Sequence, residues 1–276
     1  MTPRAPGLER FRHADTGVSL PAAGRGGAVR AYFWRDTGAG SPAHLNRFPA
    51  APYCTVTWFL SGTVHDGQSA AAPALAAIVV GGPFTRPATT FSAGRVRAFT
   101  VVFFPDAFAR LTGLAPAGLA DRLVPARDLL PASLAPLLDE VAAAAGDAER
   151  IAQVDAFLAR HGHVGAASAA PWLWRLLHAV GVDQLCDRQV ERRIRESTGQ
   201  SLRTLRGAER FEMALLDARA AAEGGTLHWA TLASASGFSD QPHLSRECRR
   251  LSGTTPADLI EWQARDESYW LYRCWK

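Results

Sequence analysis

The stretch ASASGFSDQPHLSRECRRLSG, from Ala233 to Gly253, constrains the fold more than any other part of the chain. Gly237 stands between a small-residue helix and an arginine-rich one, and glycine takes the positive φ of a tight interhelical turn at no steric cost. Ser239 or Asp240 is placed to cap the second helix, with Pro242 in its first turn. Upstream, TLHWATLASAS has Thr226 as a cap and Trp229, Leu232, Ala233 and Ser236 at helical spacing. The segment therefore reads as a helix-turn-helix unit. On its second helix Leu244, Cys248 and Leu251 make one apolar stripe, while Gln241, Ser245, Arg246, Arg249 and Arg250 lie away from it.

Those polar residues suit nucleic acid. Arginine bonds the O6 and N7 of guanine and glutamine the N6 and N7 of adenine, provided the helix enters the major groove. Gln241, His243 and Arg246 are the candidate base readers. Arg249 and Arg250 sit further along, where side chains more often meet phosphates and set position and affinity. The competing reading is an amphipathic helix whose arginines are merely solvated.

The run WATLASASGFSDQPHLSRECRRLSGTTPADL resembles the second helix-turn-helix of the AraC/XylS family of transcription regulators. Gly237, Phe238, Ser239, Asp240, Gln241, His243, Leu244, Ser245, Arg246, Gly253, Thr255 and Pro256 match the family signature as they stand. Thr255 with Asp258 also forms a capping box for the next helix, with Pro256 at its first position. Regulators of this family carry two such units, and the resemblance puts the first on CDRQVERRIRESTGQS. By position, Arg188, Gln189 and Arg192 would face bases and Arg193 and Arg195 phosphates, with Val190 and Ile194 anchoring the helix. Glu191 is expected to pair with a neighbouring arginine. The supporting helix WLWRLLHAVGVDQL departs from the pattern, because Gly181 falls where a helix should continue and Gln184 stands where the turn usually has Gly. The first unit is thus expected to dock loosely or to serve as a phosphate clamp. A helix from Leu202 to about Glu223 would span about 33 Å at 1.5 Å per residue, close to the roughly 34–36 Å between successive major-groove faces. Gly207 inside it marks a candidate bend.

At 276 residues the chain is long for one domain. The expected fold is α+β, with a β-rich, sandwich- or barrel-like sensory or dimerisation domain and trailing helices over residues 1–165. An all-α DNA-binding domain with the two helix-turn-helix units follows over 166–276. Net charge is +4 and the pI about 9.2, a weak sign of a polyanionic partner. The basicity is arginine, Lys276 being the single lysine. YCTVTWFL alternates, with Cys54, Val56, Trp58 and Leu60 on one face and Thr55 and Thr57 on the other, as a half-buried strand does. VRAYFWR, LAAIVVGG and VRAFTVVFF extend the strand pattern. Past Pro105 the period becomes helical, with Gly113 as a helix end and Ser133 and Asp147 as N-caps. RHGHVGAASAAP, from Arg160 to Pro171, reads as the interdomain link, with His161 and His163 as surface residues of it.

Cys54, Cys186, Cys248 and Cys274 are scattered without a CxxC pair, which argues against a zinc site or disulfides and fits a reducing cytoplasm. No export signal and no run of about 18 apolar residues is present, so no membrane partner is expected. Tyr32, Phe33, Trp34, Trp58 and Phe59 are expected to fill the β core. His44 and His65 read as loop or surface histidines. FFPDAFARLTGLAPAGLADRLVPARDLL resembles the end of a sensory domain found in some AraC-family members. The closing ESYWLYRCWK is expected to dock on the chain itself, because an exposed aromatic tail is a liability. No nucleophile, base and orienting group can be assembled, and no G-x-S-x-G, P-loop or G-x-G-x-x-G occurs in a fitting context. No catalytic residue, metal site or cofactor is therefore assigned. The resemblance implies a transcription regulator with double-stranded DNA as partner. It leaves open a small-molecule effector in the N-terminal half, RNA polymerase, and a second copy of the chain. The alternatives are a cupin-type metal-dependent enzyme with a helical appendage, and an N-terminal protein-interaction module.

Overall fold

The computed structural model describes residues 15–21, 27–161, 172–179 and 181–274. His163 and most of the expected link lie outside the described residues. Among the described residues nine strands come first, interrupted near the end by helices: β1 (Asp15–Ser19), β2 (Val29–Asp36), β3 (His44–Phe48), β4 (Cys54–Ser61), β5 (Val64–His65), β6 (Ile78–Gly81), β7 (Ala88–Ser92), β8 (Arg97–Phe103) and β9 (Leu123–Pro125). They form an antiparallel sheet in the order β1-β2-β8-β4-β6-β9 and a smaller one in the order β3-β7-β5. The two sheets enclose a cavity, and the larger one carries helices on its other face.

Strand alternation explains this layering. Cys54, Val56 and Trp58 of β4 and Phe99 and Val101 of β8 are buried. They join one core with Phe108 of α1 (Pro105–Thr112), Leu137, Leu138 and Val141 of α3 (Ala135–Ala143), and Val154 and Phe157 of α4 (Asp147–Arg160). A short helix α2 (Ala126–Leu129) intervenes. Trp58 Nε1 donates to the Leu138 carbonyl at 3.0 Å, and the Tyr32 hydroxyl donates to Asp155. A buried indole or phenol needs such a partner. The alternate residues Thr55, Thr57, Phe59, Thr100 and Val102 face the cavity.

Helix ends follow the expected chemistry unevenly. Gly113 closes α1 with φ 73°. Ser133 instead lies in a 3-10 turn, and α3 follows it with Leu134 at the N-cap. Asp147 is the first residue of α4 and not its cap, which is Gly146. Its carboxylate turns to Arg150 at 2.9 Å, an i,i+3 pair that competes with capping. His161 closes α4, its Nδ1 2.8 Å from the Phe157 carbonyl.

The remaining helices are α5 (Trp172–Ala179), α6 (Asp187–Thr198), α7 (Leu202–Glu223), α8 (Trp229–Ala235), α9 (Gln241–Ser252), α10 (Pro256–Arg265) and α11 (Trp270–Cys274). The core of the β half continues into Leu173 and Leu176 of α5, Val190 and Ile194 of α6, and Leu205 of α7. A second core joins Ala50, from the loop between β3 and β4, to Phe211, Leu215, Cys248, Leu251, Leu259, Tyr269 and Tyr272. There the Ala50 N–H donates to the Leu251 carbonyl at 2.7 Å. α7 has the 22 residues expected and Ser201 as its N-cap. Gly207 is explained by a close approach: a Cβ there would lie 2.3 Å from Oε1 of Glu247 on α9.

Candidate nucleic-acid interface and ligand cavity

The second unit is built as its sequence dictates. α8 ends, Gly237 takes φ 74°, and the Phe238 N–H returns to the Ala233 carbonyl at 2.9 Å. Asp240 caps α9, accepting from the His243 N–H at 2.6 Å, with Pro242 in the first turn. Thr226 does not cap α8. His228 takes that position without a side-chain bond, and Thr226 Oγ1 donates to the Ala221 carbonyl at the end of α7. Thr255 caps α10, accepting from the Asp258 N–H at 3.2 Å.

Leu244, Cys248 and Leu251 are buried, while Gln241, Arg246 and Arg249 are exposed and, among the described residues, in no ion pair. His243 is half-buried, its Nδ1 3.1 Å from Ser239 Oγ and its ring edge-on to Phe238. Arg250 differs from Arg249. It is half-buried and its Nε donates to Glu247 Oε2 at 3.0 Å, directly over Gly207. Arg210 of α7 supports the turn, with its guanidinium 5.4 Å from the Phe238 ring centroid.

In the first unit Gly181 does not interrupt a helix. It follows α5 with φ 80°, and a 3-10 turn over Val182–Gln184 leads to α6. Gly181 thus supplies the left-handed residue that Gln184 cannot, through a turn longer than that of the second unit. Cys186 is the N-cap of α6, and its backbone N–H donates to Gln189 Oε1 at 3.1 Å. Gln189 therefore carries half of a capping box at the position assigned to base reading. Arg195 pairs with Glu191 at 2.9 Å and Arg192 with Glu196 at 3.7 Å. Glu191 also accepts from the Leu202 N–H, so the expected pairing extends to the start of α7. Arg188, Arg192, Arg193 and Arg195 are exposed, and Val190 and Ile194 are buried.

The cavity between the sheets measures about 540 Å³, within the roughly 300–1,000 Å³ of small-molecule sites. Its walls are largely apolar, with Phe33, Phe48, Phe59, Val64, Leu75 and Val79 among them. The β aromatics thus divide: Tyr32 and Trp58 fill the core, while Phe33, Trp34 and Phe59 line the cavity. His44 and His65 are strand residues, not loop ones, because β3 begins at the first and β5 ends at the second. His44 lines the cavity, and burial pushes its pKa down, with Arg35 adding to the shift.

Arg35 lines it too, with 4% of its surface exposed. Burial lowers its pKa to about 10, which leaves it charged at neutral pH. Its Nη1 lies 3.4 Å from Glu267 Oε1, and its guanidinium sits 4.8 Å from the Trp270 ring centroid. The aromatic tail docks on the chain as expected. Trp270 Nε1 donates to Asn46 Oδ1 at 3.1 Å, Tyr272 is fully buried, and Trp270, Leu271 and Cys274 form one wall of the cavity. Sequence reasoning passed over Arg35, although a signal was present: it shares a strand face with Phe33, an inward place for a charge.

No protein-family model matches this sequence, and no curated protein is similar to it. Among solved structures, ToxT from Vibrio cholerae is similar at a TM-score of 0.38 and 9% identity, over 90% of this chain and 97% of that one. A ToxT structure bound to (E)-4-(8-methylnaphthalen-1-yl)but-3-enoic acid gives the same TM-score at 12% identity, over 90% and 98%. The AraC-like transcriptional activator CuxR gives 0.20 at 14% identity, over 96% and 92%. These are remote likenesses, and the functional reading rests on the residues of this chain.

Proposed function

We propose that the chain is a sequence-specific regulator of transcription that reads double-stranded DNA through two helix-turn-helix units and is controlled by a small molecule in the β-domain cavity. The observation that carries this reading is α9: its apolar stripe is buried to the last residue, while Gln241 and Arg246 stand exposed on a capped helix behind a tight glycine turn. Arginine and glutamine in that setting match guanine and adenine edges in the major groove. Arg249 adds a phosphate contact. On α6 the pairing of Arg192 and Arg195 and the capping role of Gln189 favour phosphate clamping, with Arg188 the side chain best placed for a base. α7, at 22 residues, is the spacer between the two.

Selection of binding sites from random duplex DNA with the full-length protein tests this. Enrichment of a motif with two half-sites about one helical turn apart is the expected result. A single half-site would confine base reading to α9, and no enrichment with or without candidate effectors would overturn the proposal. Stoichiometric metal in the purified protein would favour the cupin-type enzyme instead.

A further inference from the structure

We propose that the cavity between the sheets binds an uncharged, largely apolar molecule through a neutral oxygen acceptor, a ketone or ester carbonyl, set against hydroxyl groups of the cavity walls. This rests on the effector half of the proposed function and deepens it, and the binding step is testable without DNA.

The hydroxyls lie on both sheets. Thr57 of β4 and Thr100 of β8 are register partners in the larger sheet, and their Oγ1 atoms lie 3.0 Å apart on the cavity face. Whichever of them donates, the hydroxyl proton of the other is left over. On the smaller sheet Asn46 Nδ2 donates to Thr90 Oγ1 at 3.3 Å and to Ser92 Oγ at 3.0 Å. Thr90 and Ser92 therefore serve as acceptors there, and among the described residues neither hydroxyl proton has an acceptor. An unmet donor in a largely apolar site gains from any oxygen brought to it. Around these groups Phe33, Phe59, Val64, Leu75 and Val79 accept an apolar body.

The charged residues of the lining select against an anion, because their partners lie elsewhere. Arg30 is bonded to Glu212 of α7, with its guanidinium 4.7 Å from the Tyr53 ring centroid. Arg35 turns Nη1 to Glu267 and Thr16 and lays its guanidinium on the Trp270 ring, while its Nε and Nη2 are closed off from the cavity. Arg35 and Arg273 share Glu267, and the positive charge in excess falls on Arg273, whose side chain is 33% exposed and screened by solvent. His44, its pKa lowered by burial, is neutral at neutral pH. A carboxylate would thus give up its water and meet no open cation among the described lining residues, whereas a neutral carbonyl gives up far less.

The hydroxyls of the smaller sheet also tie such a ligand to the C-terminal helices. Through Asn46, whose Oδ1 accepts from Trp270 Nε1, they are joined to the segment that packs Tyr269 and Tyr272 against Cys248 and Leu251 of α9. Any effect of the ligand on DNA affinity through that segment must be mirrored in an effect of DNA on ligand affinity.

The test uses full-length protein and three probes of one shape: 7-phenylheptan-2-one, 6-phenylhexanoate, in which a carboxylate replaces the methyl ketone, and heptylbenzene, which lacks oxygen. Tryptophan fluorescence reads binding, because Trp34 and Trp270 stand in the wall. At neutral pH the ketone should bind at least tenfold tighter than the acid. Valine keeps the shape and strand preference of threonine while removing its hydroxyl. The double variant Thr57→Val, Thr100→Val, or the single variant Thr90→Val, should therefore shift the ratio of ketone to heptylbenzene affinity at least threefold toward the hydrocarbon. Acid binding equal to or tighter than ketone binding, no saturable binding of any probe, or an unchanged ratio in both variants overturns the proposal. Should one variant fail to fold, the other decides. Site selection on DNA is scored separately. Failed ketone binding with a defined operator defeats only this inference, and ketone binding without any operator defeats only the regulator reading.

Discussion

Arg250 is the residue at which reading position along a helix and reading the packed structure give different predictions. By position it belongs with Arg249 on the phosphates. In the structure its guanidinium is held by Glu247, which lies on the α7 backbone at Gly207. Arg250→Ala would leave the Glu247 carboxylate, with 18% of its side chain exposed, against α7 without its cation. A hydrogen bond to a charged group is worth about 1.5–3 kcal/mol. Solvent reaches the Arg250 side chain, 35% exposed, so the lower end applies, about 1–2 kcal/mol. With a urea m-value near 3 kcal/mol/M the midpoint should fall by about 0.5 M. DNA binding supplies the second readout, because each lost phosphate contact flattens the plot of log affinity against log salt by about 0.9. Arg249→Ala should flatten the slope and spare stability; Arg250→Ala should lower stability and spare the slope. A flattened slope for Arg250→Ala with an unchanged urea midpoint would refute the reasoning and return Arg250 to the backbone.

Arg246→Ala should cost about 1–3 kcal/mol on the selected operator and relax preference at one base pair, and equal losses on operator and scrambled DNA would end its base-reading role. Asp240→Ala removes the cap bond to His243 and should destabilise the protein by about 1 kcal/mol by thermal or urea unfolding; an unchanged stability would mean that the turn holds α9 without its cap. His44 has its pKa lowered by burial in the fold, so the unfolded chain binds more protons in the window below the ordinary value of 6.5. Stability should therefore rise with pH through that window, and His44→Asn should reduce the slope measured by unfolding between pH 5 and 7.5; an identical slope would show that His44 titrates alike in both states.

Much of the C-terminal helical half was legible because its rules are local. A glycine that must take positive φ, an aspartate cap, a threonine cap before proline and an apolar stripe at helical spacing are all set by near neighbours, and Gly237, Asp240, Thr255 and the stripe of α9 stand where those rules put them. The end residues of α7 were legible for the same reason. Local rules failed where two of them competed. Asp147 could cap a helix or pair with Arg150, and Gly181 could break a helix or end it; neighbouring charges and turn length decided each case.

By itself the sequence determined the strand character of the segments that hold β2, β4, β6 and β8, the helical second half, the apolar side of α6 and α9, and which polar groups those two helices present, because these depend on residue type and on spacings of two to four. Only the tertiary structure decided which face of the larger sheet meets helices and which meets the cavity, since β4 alternates Cys, Val and Trp against Thr, Thr and Phe, and neither face is polar enough to be assigned to solvent. It alone decided that Arg35 is buried beside a residue 232 positions later and that Trp270 bonds to Asn46 across 224. Those contacts join distant parts of the chain through packing and charge compensation, which are properties of the assembled fold.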